Sequence, residues 1–141
     1  MAGSPDVISA LGGVSLFSGL DKKLHKAIAE RGKELSYKSG DTIVRQGDMG
    51  LGFYLLLDGK VEIRKGERLL ATLSKGQFFG EMSLIDEAPR MADVVAVQPT
   101  RCFALMPWAF TSLVKKNPEV AIGMLKELAK RLRTAQSSPT S

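Results

Sequence analysis

One cysteine and one histidine in 141 residues close off several kinds of chemistry at the outset. Cys102 has no second thiol with which to form an internal disulfide, which points to a reducing, cytoplasmic setting. His25 alone cannot supply the imidazole cluster of a metal-dependent β-barrel enzyme, and no serine or cysteine has a histidine base in its own segment. The sequence therefore reads as non-enzymatic, with neither metal nor cofactor. Aromatic residues make up 6% of the chain and do not interleave with basic side chains as they do in single-strand nucleic-acid binders. No run approaches the about 20 apolar residues that cross a bilayer, and the N-terminus lacks the basic start and apolar stretch of a secretory signal. No membrane association is expected.

What is present is enough for one core. A hydrophobic content of 44% over this length supports a single domain and is too little for two. The net charge of +5 comes mostly from residues 115–133, where Lys115, Lys116, Lys126, Lys130, Arg131 and Arg133 face only Glu119 and Glu127. These cations read as the solvated face of a helix, gathered towards its negative C-terminal end. Direct nucleic-acid binding is not expected from them.

Along the chain, residues 1–13 are small and polar and read as a flexible leader, residues 14–134 as the domain, and residues 135–141 as a disordered tail. Leu20, Leu24, Ala27 and Ile28 recur at helical spacing, which predicts a short helix over 18–31 with Ser18 as its cap and Asp21 in its first turn. From 34 to 106 the helical period vanishes. Short runs at 34–38, 42–45, 53–57, 61–65, 69–73, 94–97 and 101–105 are separated by glycine-containing turns. Such regular short strands predict a closed or nearly closed antiparallel barrel or jelly roll. Helical period returns at 108–115 and again after Asn117-Pro118, a cap followed by proline in the first turn. In that last helix Ala121, Leu125, Leu128 and Leu132 form the expected apolar seam.

Residues 76–94 behave differently from the β region around them. Gly80 precedes a stretch, 81–85, able to form one helical turn, and such a turn presents unpaired backbone N–H groups to an anion. Arg90 can add a planar fork that matches two phosphate oxygens. Glu81 is the oddity, since a carboxylate beside an anion repels it unless it accepts from something else, such as a sugar hydroxyl. A cyclic nucleotide carries both groups on one compact ring. From charge types alone, however, Glu81 and Arg90 pair equally well with each other. Phe78 and Phe79 read as core.

Two stretches then resemble the cyclic-nucleotide-binding domain family, whose members include catabolite activator proteins, protein kinase A regulatory subunits and cyclic-nucleotide-gated channels. The first is Ile43-Val44-Arg45-Gln46-Gly47-Asp48-Met49-Gly50, continuing through Phe53-Tyr54-Leu55-Leu56 to Gly59. The second is Phe79-Gly80-Glu81-Met82-Ser83-Leu84, followed by Arg90-Met91-Ala92-Asp93-Val94, and it is similar to the family's phosphate-binding cassette. The resemblance spans 16–134. It implies a mainly β fold with flanking helices: an antiparallel, jelly-roll-like β-roll barrel with a short N-terminal helix, a helical turn in the cassette and a C-terminal hinge or lid helix.

For the site, the resemblance implies that Arg90 holds the exocyclic phosphate oxygens and that Glu81 accepts from the ribose 2′-hydroxyl. Gly80 and the backbone of Met82, Ser83 and Ala92 would line the same pocket. Leu84 would pack towards the hinge helix. Met91 stands where cyclic GMP-selective members often carry threonine, so cyclic AMP is the expected ligand ahead of cyclic GMP. Asp93 replaces a common threonine or serine, and pointing inward it would repel phosphate. The function implied is a sensory domain whose C-terminal helix shifts on binding. Two alternatives are a degenerate β-roll that serves protein contacts, and the ligand-binding part of a transcription regulator without its DNA-binding part, because a helix-turn-helix reader does not fit after the last helix. A second copy or an effector protein would dock through that helix.

Overall fold

The computed structural model describes residues 5–49, 52–86 and 88–137. Its first described element is a helix lying within the stretch 1–13 that the sequence read as a flexible leader, of which residues 1–4 lie outside the described residues. In α1 (Pro5–Gly12), proline sits in the first turn with Asp6 beside it, while Val7 and Leu11, one turn apart, are both 0% exposed. Proline's fixed φ and a carboxylate at the positive helix end both favour a start there, and burial of two aliphatic side chains holds the helix against the domain. The second helix, α2 (Lys22–Ala29), is shorter than predicted and is capped by Asp21, whose carboxylate accepts from Leu24 N–H at 3.0 Å. Ser18 instead donates to the Ser15 carbonyl at 2.9 Å, in the turn before the helix. His25 is buried, and its Nε2–H donates to the Phe17 carbonyl at 2.7 Å, a structural role.

The β region forms β1 (Lys33–Tyr37), β2 (Thr42–Val44), β3 (Phe53–Asp58), β4 (Lys60–Lys65), β5 (Arg68–Ser74), β6 (Phe78–Phe79), β7 (Asp93–Ala96) and β8 (Thr100–Leu105). They make two antiparallel sheets, β1-β8-β3-β6 and β2-β7-β4-β5, packed face to face rather than fused into one closed barrel. The two-residue β6 was not separable in the sequence from the segment that follows it. It exists because Tyr54 and Leu55 of β3 pair with Phe79 and Phe78.

Strand β3 shows why the fold is layered. Its residues are buried without alternation from Phe53 to Leu57, because both faces of its sheet are covered. Phe53, Leu55 and Leu57, with Phe103 and Leu105 of β8, join α1, α2 and the C-terminal helices in the main core. Tyr54 and Leu56, with Cys102 and Ala104, point the other way and meet Val44, Val61 and Val94 of the second sheet. Each such fully buried aliphatic or aromatic side chain contributes about 1.5–3 kcal/mol.

Two helices follow the roll, α4 (Pro107–Lys116) and α5 (Pro118–Ser137). Helix α5 includes residues 135–137, which the sequence assigned to a tail; residues 138–141 lie outside the described residues. Its buried side chains are Val120 and Met124, whereas Leu125 and Leu132 of the expected seam are 60% and 59% exposed. Gly123 explains the rotation. A Cβ there would lie 2.2 Å from Leu20 Cδ2, so the missing side chain lets Leu20 close on this face and turns the neighbouring Val120 and Met124 inward. Among the described residues no helix is long and apolar enough to cross a membrane.

Candidate functional site

Between β6 and β7 the chain leaves the sheet, turns at Gly80 and forms the single helical turn α3 (Ser83–Asp86). Gly80 has φ +82°, and a Cβ on it would lie 2.4 Å from both the Gly52 carbonyl oxygen and Arg90 Nη1. Both the backbone angle and the space therefore require glycine. Bonds from Ser83 N–H to Gly80 O and from Leu84 N–H to Glu81 O begin the turn. The N–H groups of Glu81 and Met82, ahead of these, have no main-chain acceptor among the described residues.

Arg90 is turned inward beneath this turn. Nη1 donates to Ser83 Oγ at 3.3 Å, Nη2 donates to the Gly52 carbonyl, and the guanidinium carbon lies 5.8 Å from the centroid of the Phe79 ring. Phe79 in turn stacks on Tyr54 with centroids 5.0 Å apart and planes 7° from parallel. Burial pulls the guanidinium below its ordinary pKa, while Tyr54 and the Asp48 carboxylate favour its charged form; arginine remains protonated throughout. One donor is left over. Arg90 Nε is buried and has no hydrogen-bond partner among the described residues, an arrangement that leaves an uncompensated desolvation penalty at a cation.

A cavity of about 310 Å³ opens here, lined by Gly80, Met82, Ser83, Arg90, Met91 and Ala92. Those are all the sequence-predicted site residues except Glu81. Glu81 lies between two lining residues, half-buried, and its carboxylate makes no hydrogen bond or ion pair among the described residues. The alternative in which Glu81 and Arg90 satisfy each other is therefore absent from this structure, because Arg90 is drawn to Gly52 and Ser83 instead. Met91 is 74% exposed at the cavity's rim. Asp93 does not face the cavity as a bare charge: its Oδ1 accepts from Gln46 N–H at 2.7 Å.

The apolar wall was not read from the sequence. Val44, Ile63, Phe79 and Val94, from four strands, complete the cavity; pairing of β2, β7 and β4 sets Val44, Val94 and Ile63 side by side, and Phe79 comes from the other sheet. The Gly52 carbonyl was missed too, since no side chain announces it. A cation and a hydroxyl at one end, with an aliphatic wall along the side, can take an anionic group joined to a flat apolar body.

Residues 34–117 match the family described as the cyclic nucleotide-binding domain. The chain belongs to the cyclic nucleotide-binding domain family. Among curated relatives of this domain, the cyclic AMP receptor protein of Thermus thermophilus is 40% identical over 129 residues, covering 87% of this chain and 59% of that protein. The cAMP-dependent protein kinase regulatory subunit of Schizosaccharomyces pombe is 43% identical over 89 residues, covering 62% of this chain and 22% of that one. The chain thus spans less than two thirds of either relative, one a receptor and the other a regulatory subunit by name. Of the solved structures, the N-terminal domain of a transcriptional regulator from Streptomyces coelicolor A3(2) superposes with a TM-score of 0.87 at 28% identity, over 92% of this chain and 96% of that one. The Thermus thermophilus catabolite activator protein gives 0.70 at 38% identity, over 86% and 60%. The cyclic nucleotide-binding domain fold and its mainly β architecture are thereby shown for this chain.

Proposed function

We propose that this domain is a regulatory sensor that binds cyclic AMP, and cyclic GMP less well, and that it performs no catalysis. The observation that carries the reading is Arg90: a buried guanidinium under the Gly80 turn, with its Nε unpartnered among the described residues. A cyclic phosphate oxygen accepting from that donor would relieve the penalty of burying it and form a charge-assisted bond. The N–H groups of Glu81 and Met82 and the Ser83 hydroxyl would face the same anion. Glu81, with no partner among the described residues, is left to accept from the ribose hydroxyl. The base would lie along Val44, Ile63 and Val94. Met91 at the rim offers it no hydrogen bond, which favours neither purine edge by donation and leaves cyclic GMP without the hydroxyl that cyclic GMP-selective members often supply.

In this reading α5 transmits the signal. Leu84 and Ile85, within α3, line an apolar groove of about 490 Å³ whose far side is Phe110, Val114, Met124 and Leu128. Nucleotide that shifts α3 would change the groove that α5 rests in, and so bias α5 between two positions. The exposed Leu125 and Leu132 of α5 suit contact with a second copy or with an effector. Nucleic-acid contact is assigned to no part of this domain, and a cytoplasmic setting follows from the reading as a regulator.

Calorimetric titration of wild type and Arg90→Ala with cyclic AMP tests the reading. Truncating one side of a buried charge pair removes about 2–5 kcal/mol of binding, or roughly 30-fold to several thousand-fold in affinity. Equal affinities would refute the assignment of Arg90. A thermal-shift comparison sets the ligand order, since nucleotide at 100 times its dissociation constant stabilises the fold by about 2.7 kcal/mol. No shift with either nucleotide would leave a β-roll that serves protein contacts.

A further inference from the structure

The β2–β7 ladder is irregular just where it approaches Arg90. Thr42 pairs with Val95, but Val44 pairs with Val94, a shift of register between the two. Beyond it, two main-chain bonds resume the contact: Gly47 N–H to Arg90 O at 2.8 Å and Arg90 N–H to Asp48 O at 2.9 Å. Between the regular ladder and these rungs, Gln46 N–H bonds no main-chain carbonyl among the described residues, and the Asp93 side chain fills the place at 2.7 Å. Further along the chain, the Gly52 carbonyl receives Arg90 Nη2. Arg90 is thus held at its carbonyl by Gly47, at its N–H by Asp48 and at its guanidinium by Gly52, and Asp93 ties down Gln46, directly before Gly47.

We infer that Asp93 is a positioning residue for Arg90: its side-chain oxygen replaces a missing rung of the β2–β7 ladder and so fixes the loop against which the phosphate-binding guanidinium is set. The inference rests on the proposed nucleotide reading for its consequence, though not for its geometry. Asp93 acts through its hydrogen bond and not through its charge. The charged form of Arg90 is favoured by Tyr54 and Asp48. Arg64, opposite Asp93 in the β4–β7 register, is engaged with Glu62 through Nε at 2.8 Å. A threonine or serine hydroxyl can accept the same bond from a backbone N–H, so the carboxylate here is a chemical equivalent and not a defect.

The test combines amide hydrogen exchange on the ligand-free protein with titration by cyclic AMP. Asp93→Ala is expected to speed exchange at the Gln46, Gly47 and Arg90 amides, while Asp93→Asn, which keeps an acceptor, restores wild-type protection. Affinity for cyclic AMP is expected to fall about 2- to 13-fold in Asp93→Ala, the range for one lost hydrogen bond, and to return to within about twofold in Asp93→Asn. In an Arg90→Lys background, Asp93→Ala should cause little further loss, because groups acting through one another are not additive. Unchanged exchange in Asp93→Ala, an Asp93→Asn as weak as Asp93→Ala, or a full additive loss in the Arg90→Lys background each overturns the inference. If wild type binds neither cyclic nucleotide, the functional reading fails by itself, and the exchange pattern still decides the role of Asp93.

Discussion

The two faces of the β1-β8-β3-β6 sheet are both buried, yet they are built from different chemistry. The outer face meets helices α1, α2, α4 and α5 through Phe53, Leu55, Phe103 and Leu105, a hydrocarbon layer tightened by the edge-to-face contact of Phe17 and Phe53 at 5.5 Å. The inner face carries Tyr54 and Cys102 beside Leu56 and Ala104, and it borders the cavity at Phe79. Hydrocarbon contacts between sheet and helices belong to the side that holds the fold, and polar atoms beside a cavity that Arg90 lines belong to the other. The same strand serves both, one residue out of phase.

The strongest way to break that contrast is to remove an outer-face side chain. Phe53→Ala, at a residue 0% exposed, is expected to reduce folding stability by about 3–5 kcal/mol, measured by urea denaturation followed by circular dichroism. Ile63→Val, on the half-buried cavity wall, should stay below about 1.5 kcal/mol. Comparable losses would mean that the inner layer holds the fold as firmly as the outer one.

Gly80→Ala comes next. The substitution puts an L side chain at φ +82° and drives a Cβ into the Gly52 carbonyl, so a loss of about 1–3 kcal/mol in folding stability is expected. It should also displace Arg90 and weaken nucleotide binding beyond what the stability loss predicts. A well-folded Gly80→Ala with wild-type affinity would show that the turn has another conformation available.

Alkaline titration sharpens the inner face in particular. Burial pushes the Cys102 thiol up from 9.0 to about 12 and also raises the phenols of Tyr37 and Tyr54. Because the folded thiol keeps its proton to higher pH than the unfolded one, its contribution is complete below pH 9 and is lost as pH rises towards 12. Denaturation at successive pH values should show stability falling over that window, by no more than about 1.4 kcal/mol per pH unit for each group. Cys102→Ala should fall less steeply, and an unchanged slope would mean that the thiol is not what titrates.

How much of this was legible beforehand follows from what each signal depends on. The strands were readable because glycines such as Gly47, Gly59 and Gly76 punctuate them, and the cassette was readable because Gly80, Glu81 and Arg90 are an unusual set in one segment. Helix α1 carried its own signal in Pro5, Asp6, Val7 and Leu11, but small and polar neighbours masked it. The face of α5 was misread because a periodic pattern offers several stripes, and the choice between them was made by Leu20 fitting against Gly123, a contact 103 residues away in sequence. The aliphatic wall of Val44, Ile63 and Val94 had no local signal at all, since such residues look alike whether they face a core or a cavity.

The smallest expected effect is the most discriminating. Arg90→Met removes a buried cation whose Nε has no partner and replaces it with an apolar chain of similar reach, an exchange that is often neutral or stabilising when a buried charge is poorly compensated. Against that gain stand the lost bonds to the Gly52 carbonyl and the Ser83 hydroxyl, worth about 1.5–3 kcal/mol each for a charged donor but offset by the desolvation no longer incurred. The two sides nearly cancel, so ligand-free stability should change by less than about 1 kcal/mol while affinity for cyclic AMP falls by at least about 30-fold. That combination would place Arg90 on the ligand's side of the comparison, as a group held ready at some expense to the fold. A loss as large as that of Phe53→Ala would place it among the side chains that hold the roll together, and the division between the two faces would then be wrong at the residue that matters most to it.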